Sequence, residues 1–406
     1  MRKEKHAANS WMGKAALFLL SQSVSIFGSS VTSFAIIWYI TLETSSGVWM
    51  MMSTICSMLP QVFVSLFAGV LADRYSRKRI IMLADGFIAL ATLLLAIAFQ
   101  TGMKSLWLLL AASVIRSIGS GFQTPAVNAL YPQIVPKEKL GKIMGINQTL
   151  NSALMLLSPA MGGVLLGAFG VSAAFFLDVG TAIIGIGILS LLRIPKMERA
   201  PSDEQPSVLR ELREGVSFTF QHRVLRVYIL AYALFFFFVT PAAFLTPVLV
   251  ERSFGNEVWR LTANEISWTA GSLLGGAFVA LHGEFKRKIP AMCLSIVWQG
   301  ITYLLLGLAP HFTLYLAINV VSGLAVPLIS TTSTVLIQRS VDDAMMGRVF
   351  SIVQIIAAGC MPLGMLVFGP LADLVSVELI LMVSGGLLAL IGVLLLRFRK
   401  LEDAVA

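Results

Sequence analysis

Four ionisable side chains stand inside long apolar stretches of the sequence: Arg116, Asp178, Glu265 and Asp85. A charge at the centre of an apolar barrier costs at least about 2.5 kcal/mol unless it faces a partner or a wet cavity. An arginine beside a carboxylate meets that condition. A carboxylate that is paired in one arrangement and unpaired in another can also take up and release a proton. Asp178 is the preferred partner for Arg116, with Glu265 second. Asp85 lies closer to a basic cluster and is within reach of Arg77 or Arg79. These four residues form the candidate proton-coupling set.

A second group of side chains could line a cavity. Ser21, Ser25, Ser29 and Ser33 recur every four residues with Gln22 beside them, and Asn147, Gln148, Asn151 and Ser152 cluster in a later stretch. Spacing by four keeps each set on one helix face. Tyr232 and the run Phe235 to Phe238 precede Thr240-Pro241. The selected lining residues are Ser21, Gln22, Ser25, Ser29, Gln148, Asn151, Tyr232 and Phe236. Other chemistries lack their parts. Cys56, Cys293 and Cys360 sit in apolar runs without metal-ligand spacing, and His6, His222, His282 and His311 stand singly, so neither a metal site nor a disulfide framework is expected. No nucleophile and base pair appears, as an enzyme would need. No GxxxxGK[ST] loop occurs, so ATP is not the direct energy source, and no cofactor is expected.

The elements that must hold these residues are membrane helices. The 406 residues are 57% hydrophobic and 13% charged, which makes the lipid bilayer the main solvent. A span needs about 20 apolar residues. The chain divides into twelve such stretches, near 15–40, 48–72, 80–100, 105–130, 140–168, 172–193, 224–250, 261–282, 289–309, 312–336, 346–371 and 376–397. An all-α integral membrane protein follows. The first stretch is too long for the apolar core of a signal peptide and is read as a retained helix. With both termini cytoplasmic, all of the 30 basic residues fall on the inner side except Lys104, Arg252 and Arg260 outside and Arg116 within a span, as the positive-inside rule requires. The net charge of +9 belongs to those inner loops, and nucleic acid is not an expected partner.

Residues 194–223 interrupt the pattern with Pro195, Pro201, Pro206 and mixed charges. They read as a cytoplasmic linker with a short amphipathic helix. It separates an N-terminal six-helix half, 1–193, from a C-terminal one, 224–406. The halves repeat: Leu140-Gly141-Lys142 opens one span and Met346-Gly347-Arg348 opens another, each followed by a proline. Thr124-Pro125 is echoed by Val326-Pro327, whereas the region matching Arg116, around Val321 and Ser322, has no arginine.

Gly69-Val70-Leu71-Ala72-Asp73-Arg74, followed by Arg77, Lys78 and Arg79, resembles the loop between helices two and three of the major facilitator superfamily, with Ser76 where glycine is usual. Gly145, Pro159, Gly162 and Gly163 partly match the antiporter motif of its drug exporters, with Leu154 and Ser158 in place of two glycines. Together with Arg116 to Pro125, Glu265-Ile266-Ser267 and Gly347 to Ser351, the chain is similar to the macrolide-efflux branch of bacterial drug exporters. The resemblance implies two pseudo-repeated six-helix bundles and alternating access, with substrate and proton sites between the halves. It also implies a gating latch of Gly69, Asp73, Arg74 and Arg77, with Gly145, Pro159, Gly162 and Gly163 bending their helix. The implied activity is export of hydrophobic or amphipathic compounds by proton antiport, by a monomer in the bacterial cytoplasmic membrane. The alternatives are an exporter of a physiological metabolite, such as a siderophore or lipid-like compound, and more remotely a membrane enzyme or sensor. Asp373, in Gly369-Pro370-Leu371-Ala372-Asp373, repeats part of the first motif and reads equally well as an ordinary solvated residue.

Overall fold

The computed structural model describes residues 2–194, 208–283 and 287–396, with side chains for a somewhat smaller set. Among the described residues the structure is all-helical: fourteen α-helices and one short 3-10 turn at Lys137–Lys139. The helices are α1 (Arg2–Thr44), α2 (Gly47–Arg74), α3 (Arg77–Gln100), α4 (Leu106–Ile134), α5 (Leu140–Phe169), α6 (Val171–Leu191) and α7 (Val208–Gln221). They continue as α8 (Arg223–Phe244), α9 (Thr246–Phe254), α10 (Val258–His282), α11 (Lys288–Gly307), α12 (Phe312–Ser340), α13 (Asp343–Leu374) and α14 (Val377–Leu396). Only helices satisfy every backbone polar group within a single segment, as lipid demands.

Among the described residues, eleven helical segments are long and apolar enough to cross a membrane. The remaining expected span is α10, which has the length, 25 residues, but carries Thr262, Asn264, Glu265, Ser267 and Thr269 in its first half. Helix α7 is the amphipathic helix of the interruption, and residues 195–207 of that interruption lie outside the described residues. Helix breaks fall where the backbone needs glycine: Gly170, at φ 81°, separates α5 from α6, and Gly255, at φ 120°, ends α9.

The chain forms two compact units. Unit 1 comprises 1–44, 52–198 and 257–262, and unit 2 comprises 45–51, 199–256 and 263–406. The first residues of α2 therefore belong to unit 2, and those of α10 to unit 1.

Small residues set the helix spacing in each unit. In unit 1 a Cβ at Gly28 would strike the Thr181 hydroxyl and lie 3.0 Å from Asp178 Cα, and one at Gly185 would lie 3.1 Å from the Ser21 carbonyl. Helices α1 and α6 thus approach backbone to backbone, the usual device for packing helices in lipid. In unit 2, Gly271, Gly275 and Gly323 do the same for α10 against α12, and Gly300, Gly385 and Gly392 for α11 against α14.

Candidate functional site

The close approach of α1 and α6 carries Ser29 to Asp178, and α4 brings Arg116 to the same place. Arg116 and Asp178 form an ion pair between Nη1 and Oδ2, with the two residues 7% and 1% exposed. Thr92 of α3 completes the group, its hydroxyl accepting from Arg116 Nη1 at 2.5 Å and donating to Asp178 Oδ2 at 3.1 Å. Ser29 donates from Oγ to Asp178 Oδ1 at 3.0 Å, and its carbonyl accepts from Arg116 Nη2 at 3.1 Å. Four helices therefore satisfy one buried pair. Charge-assisted bonds of this kind are the strong ones, and losing either partner would leave an uncompensated charge.

Asp85 sits elsewhere than its sequence neighbours suggested. It does not pair with Arg77 or Arg79. It is 3% exposed, and its Oδ1 accepts from Ser25 Oγ at 3.2 Å and from Gln123 Nε2 at 2.5 Å. Its Oδ2 is buried without a hydrogen-bond partner. The reason is distance along the helix: two turns, or about 12 Å, separate Arg77, which donates to the Ala129 carbonyl of α4 at 2.7 Å, from Asp85, which meets Ser25 of α1 and Gln123 of α4. Unit 1 thus holds one carboxylate that is fully partnered and one that has no cation.

Both lie behind a cavity of about 430 Å³ lined from α1, α2, α3 and α4. Its wall includes Ser25, Ser29, Ser33, Phe34, Gln61, Arg116, Ser120 and Gln123. Ser117 shapes it by entering the backbone ladder of α2 just beyond Pro60. Its hydroxyl accepts from the Gln61 N–H at 2.9 Å and donates to the Ser57 carbonyl at 2.7 Å, one of the recognised causes of a helix bend.

Other expected residues fall away from this cavity. Ser21 is buried against α6 and donates to the Gly185 carbonyl at 2.8 Å. Gln22 is 2% exposed, and both its amide atoms lack a partner. Gln148 is exposed and Asn151 half-buried on α5. In unit 2, Tyr232 stacks on Tyr228 and meets Phe236 edge-on, with centroids 5.3 and 4.7 Å apart. Glu265 is half-buried and makes no hydrogen bond or ion pair among the described residues. Gly145 faces open space, Pro159 and Gly162 are buried, and a Cβ on Gly163 would strike the Thr262 hydroxyl at the start of α10. The side-chain positions of Gly69, Asp73 and Arg74 lie outside the described residues. No cluster of metal-binding side chains occurs among the described residues.

Sequence reasoning passed over a polar cluster in unit 2. Asn264 accepts at Oδ1 from the Tyr315 hydroxyl at 2.9 Å, and Asn319 Nδ2 donates to the Asn264 carbonyl at 2.8 Å and to Ser267 Oγ at 2.9 Å. Amides in apolar stretches were the available signal, and neutral side chains give a weaker one than charges.

A helical membrane protein with a buried charge pair beside a polar cavity has the architecture of a transporter. The family model for transmembrane secretion effectors, within the major facilitators, matches residues 14–405, and the chain belongs to that family. It is 32% identical to macrolide efflux protein A of Streptococcus pyogenes over 97% of this chain and 98% of that one. It is 23% identical to the multidrug efflux pump Tap of Mycobacterium bovis over 90% and 88% of the two chains. Its fold is shared with a POT family transporter solved with 5-aminolevulinic acid, at a TM-score of 0.76 and 12% identity, covering 95% and 96% of the chains.

Proposed function

We propose that this protein exports amphipathic small molecules, drug-like or macrolide-like, across the bacterial cytoplasmic membrane by proton antiport. It acts as a monomer with both termini inside, and its two six-helix halves, 1–193 and 224–406, give alternating access. The observation that carries the reading is the buried Arg116–Asp178 pair beside the serine-lined cavity, with a second, cation-free carboxylate at Asp85. The names of the relatives support the direction of transport and the substrate class.

The chemistry follows from the partners. Asp178 is engaged by Arg116, Thr92 and Ser29. Asp85 has two neutral donors and one free oxygen, a setting in which a bound proton relieves the cost of burial. Ser25 and Gln123 touch Asp85 and also line the cavity, so a substrate entering there alters the contacts that hold it. A substrate and a proton thus compete for one group of side chains, which is the elementary requirement of antiport. The test is proton release when erythromycin is added to purified protein in weak buffer. Release in the unmodified protein that is lost in Asp85→Asn supports the mechanism. Erythromycin binding without any linked proton refutes it.

A further inference from the structure

The turn from α1 into α2 is clasped at a point the transport reading does not use. We infer that Asp373 and Arg252 are positioning residues for transport: they latch the start of α2 in one state, and the export cycle requires its release. This rests on the alternating-access reading above, and the experiment below separates the two.

Asp373 ends α13 and caps the first turn of α2. Its Oδ1 accepts from the Gly47 N–H at 2.7 Å, and its Oδ2 accepts from the Val48 N–H at 3.1 Å and from Ser46 Oγ at 2.7 Å. A carboxylate at a helix N-terminus satisfies amides that have no partner within the helix and meets the positive end of its dipole. Here the cap comes from a residue more than three hundred positions away in the chain. Arg252 of α9 locks the arrangement. Its Nη2 bonds Asp373 Oδ1 at 3.1 Å, its Nη1 donates to the Ala372 carbonyl at 2.6 Å, and its Nε donates to the Ser45 carbonyl at 3.0 Å. Ser45 also donates to Glu251.

Two further observations mark this as a built device. Ser45 adopts φ 50°, the one positive value at a non-glycine among the described residues. That conformation is uncommon for a side-chain-bearing residue and persists only where surroundings enforce it. Beside it, a Cβ on Gly47 would strike the Gly369 carbonyl, and a Cβ on Gly369 would lie 2.5 Å from Met51 Cβ. The glycines let the two helix ends touch, which brings the carboxylate within reach of the amides. Arg252 and Asp373 remain about a third exposed, so water can replace their bonds when the clasp opens.

The sequence adds a pattern. Gly369-Pro370-Leu371-Ala372-Asp373 repeats the glycine-x-leucine-alanine-aspartate of Gly69 to Asp73. The same pentad closes α2 and α13, each time placing an aspartate at a helix end.

The experiment uses Val48→Cys on a chain whose Cys56, Cys293 and Cys360 are replaced by serine. This substitution keeps the backbone donor at position 48. Thiol labelling rates are measured on purified protein in nanodiscs, with and without erythromycin. Asp373→Asn is expected to speed labelling about tenfold and to lower turnover in proteoliposomes while erythromycin binding stays within twofold. Asp373→Glu should recover most of the protection. Unchanged labelling in both Asp373→Asn and Arg252→Gln overturns the latch. Equal labelling of the unmodified protein with and without erythromycin while turnover proceeds overturns the latch alone, whereas binding without any turnover in proteoliposomes overturns the transport reading on which it rests. Asp373→Asn that labels faster yet turns over at the full rate refutes the positioning role alone.

Discussion

Unit 1 buries charge where unit 2 buries neutral polar groups, although both arrange the same kind of helices. The spans opened by Gly141-Lys142 and Gly347-Arg348 correspond, and the same interval carries Arg116 onto Ser322 and Asp178 onto Ser384. Ser322 Oγ accepts from Gln299 Nε2 at 2.7 Å, and Ser384 returns its proton to its own helix at the Leu381 carbonyl, 3.1 Å away. Unit 2 replaces the ion pair with hydroxyls and adds the Asn264, Tyr315 and Asn319 cluster. Neutral interhelical bonds in membranes contribute about 0.6 kcal/mol on average, enough to set register. A buried ion pair is poor stability for its cost. Under the proposed antiport, its retention in unit 1 places the coupling of charge to substrate there.

The comparison breaks most visibly at Arg116. Arg116→Ala strands Asp178, and removing one partner of a buried pair costs about 3–5 kcal/mol. The expected outcome is a large fall in thermal stability of the purified protein and loss of export. Arg116→Lys keeps the charge but not the fork that reaches Asp178, Thr92 and Ser29 together, and export should fall at least about tenfold. Equal stability of Arg116→Ala and the unmodified protein would refute the assignment of charge to unit 1.

Asp178→Asn leaves the Arg116 guanidinium as the uncompensated charge and should lower the melting temperature of the purified protein as well. Export driven by a pH gradient should be abolished, while erythromycin binding and energy-independent exchange persist in proteoliposomes. Proton release on adding erythromycin that is lost in this variant but kept in Asp85→Asn would move the proton site from Asp85 to Asp178.

In unit 2 the effects should be smaller and uncoupled from protons. Asn319→Ala removes the donor to Asn264 and Ser267 and should cost about 1–2 kcal/mol, read as a lower melting temperature with an unaltered number of protons per substrate. Ser322→Ala should cost about 0.6 kcal/mol and leave transport within twofold. A change in proton stoichiometry in either variant would remove the division of labour.

The fold was legible because lipid allows so few solutions: long apolar runs with polar breaks between them specify helices and their order, and eleven of the twelve expected spans are long and apolar enough to cross a membrane among the described residues. The pairing of Arg116 with Asp178 was also legible, since an isolated buried charge is too costly to stand without a partner. Asp85 is the exception: a short separation in sequence suggests Arg77 as its partner, but two helical turns set them about 12 Å apart and Asp85 meets Ser25 and Gln123 instead. Ser21 shared the spacing of the cavity serines, yet the close crossing at Gly185 spends it on α6.

What the amino-acid sequence by itself determined is therefore the solvent, the helices and which charges must find partners, because hydropathy and the cost of burial act locally. Tertiary structure alone decided which carboxylate is saturated and which keeps a free oxygen. It also decided that Asp373, indistinguishable in sequence from a solvated helix end, caps α2. Those outcomes depend on angstrom-scale approach between helices distant in sequence, set by glycines whose role appears only once two backbones touch.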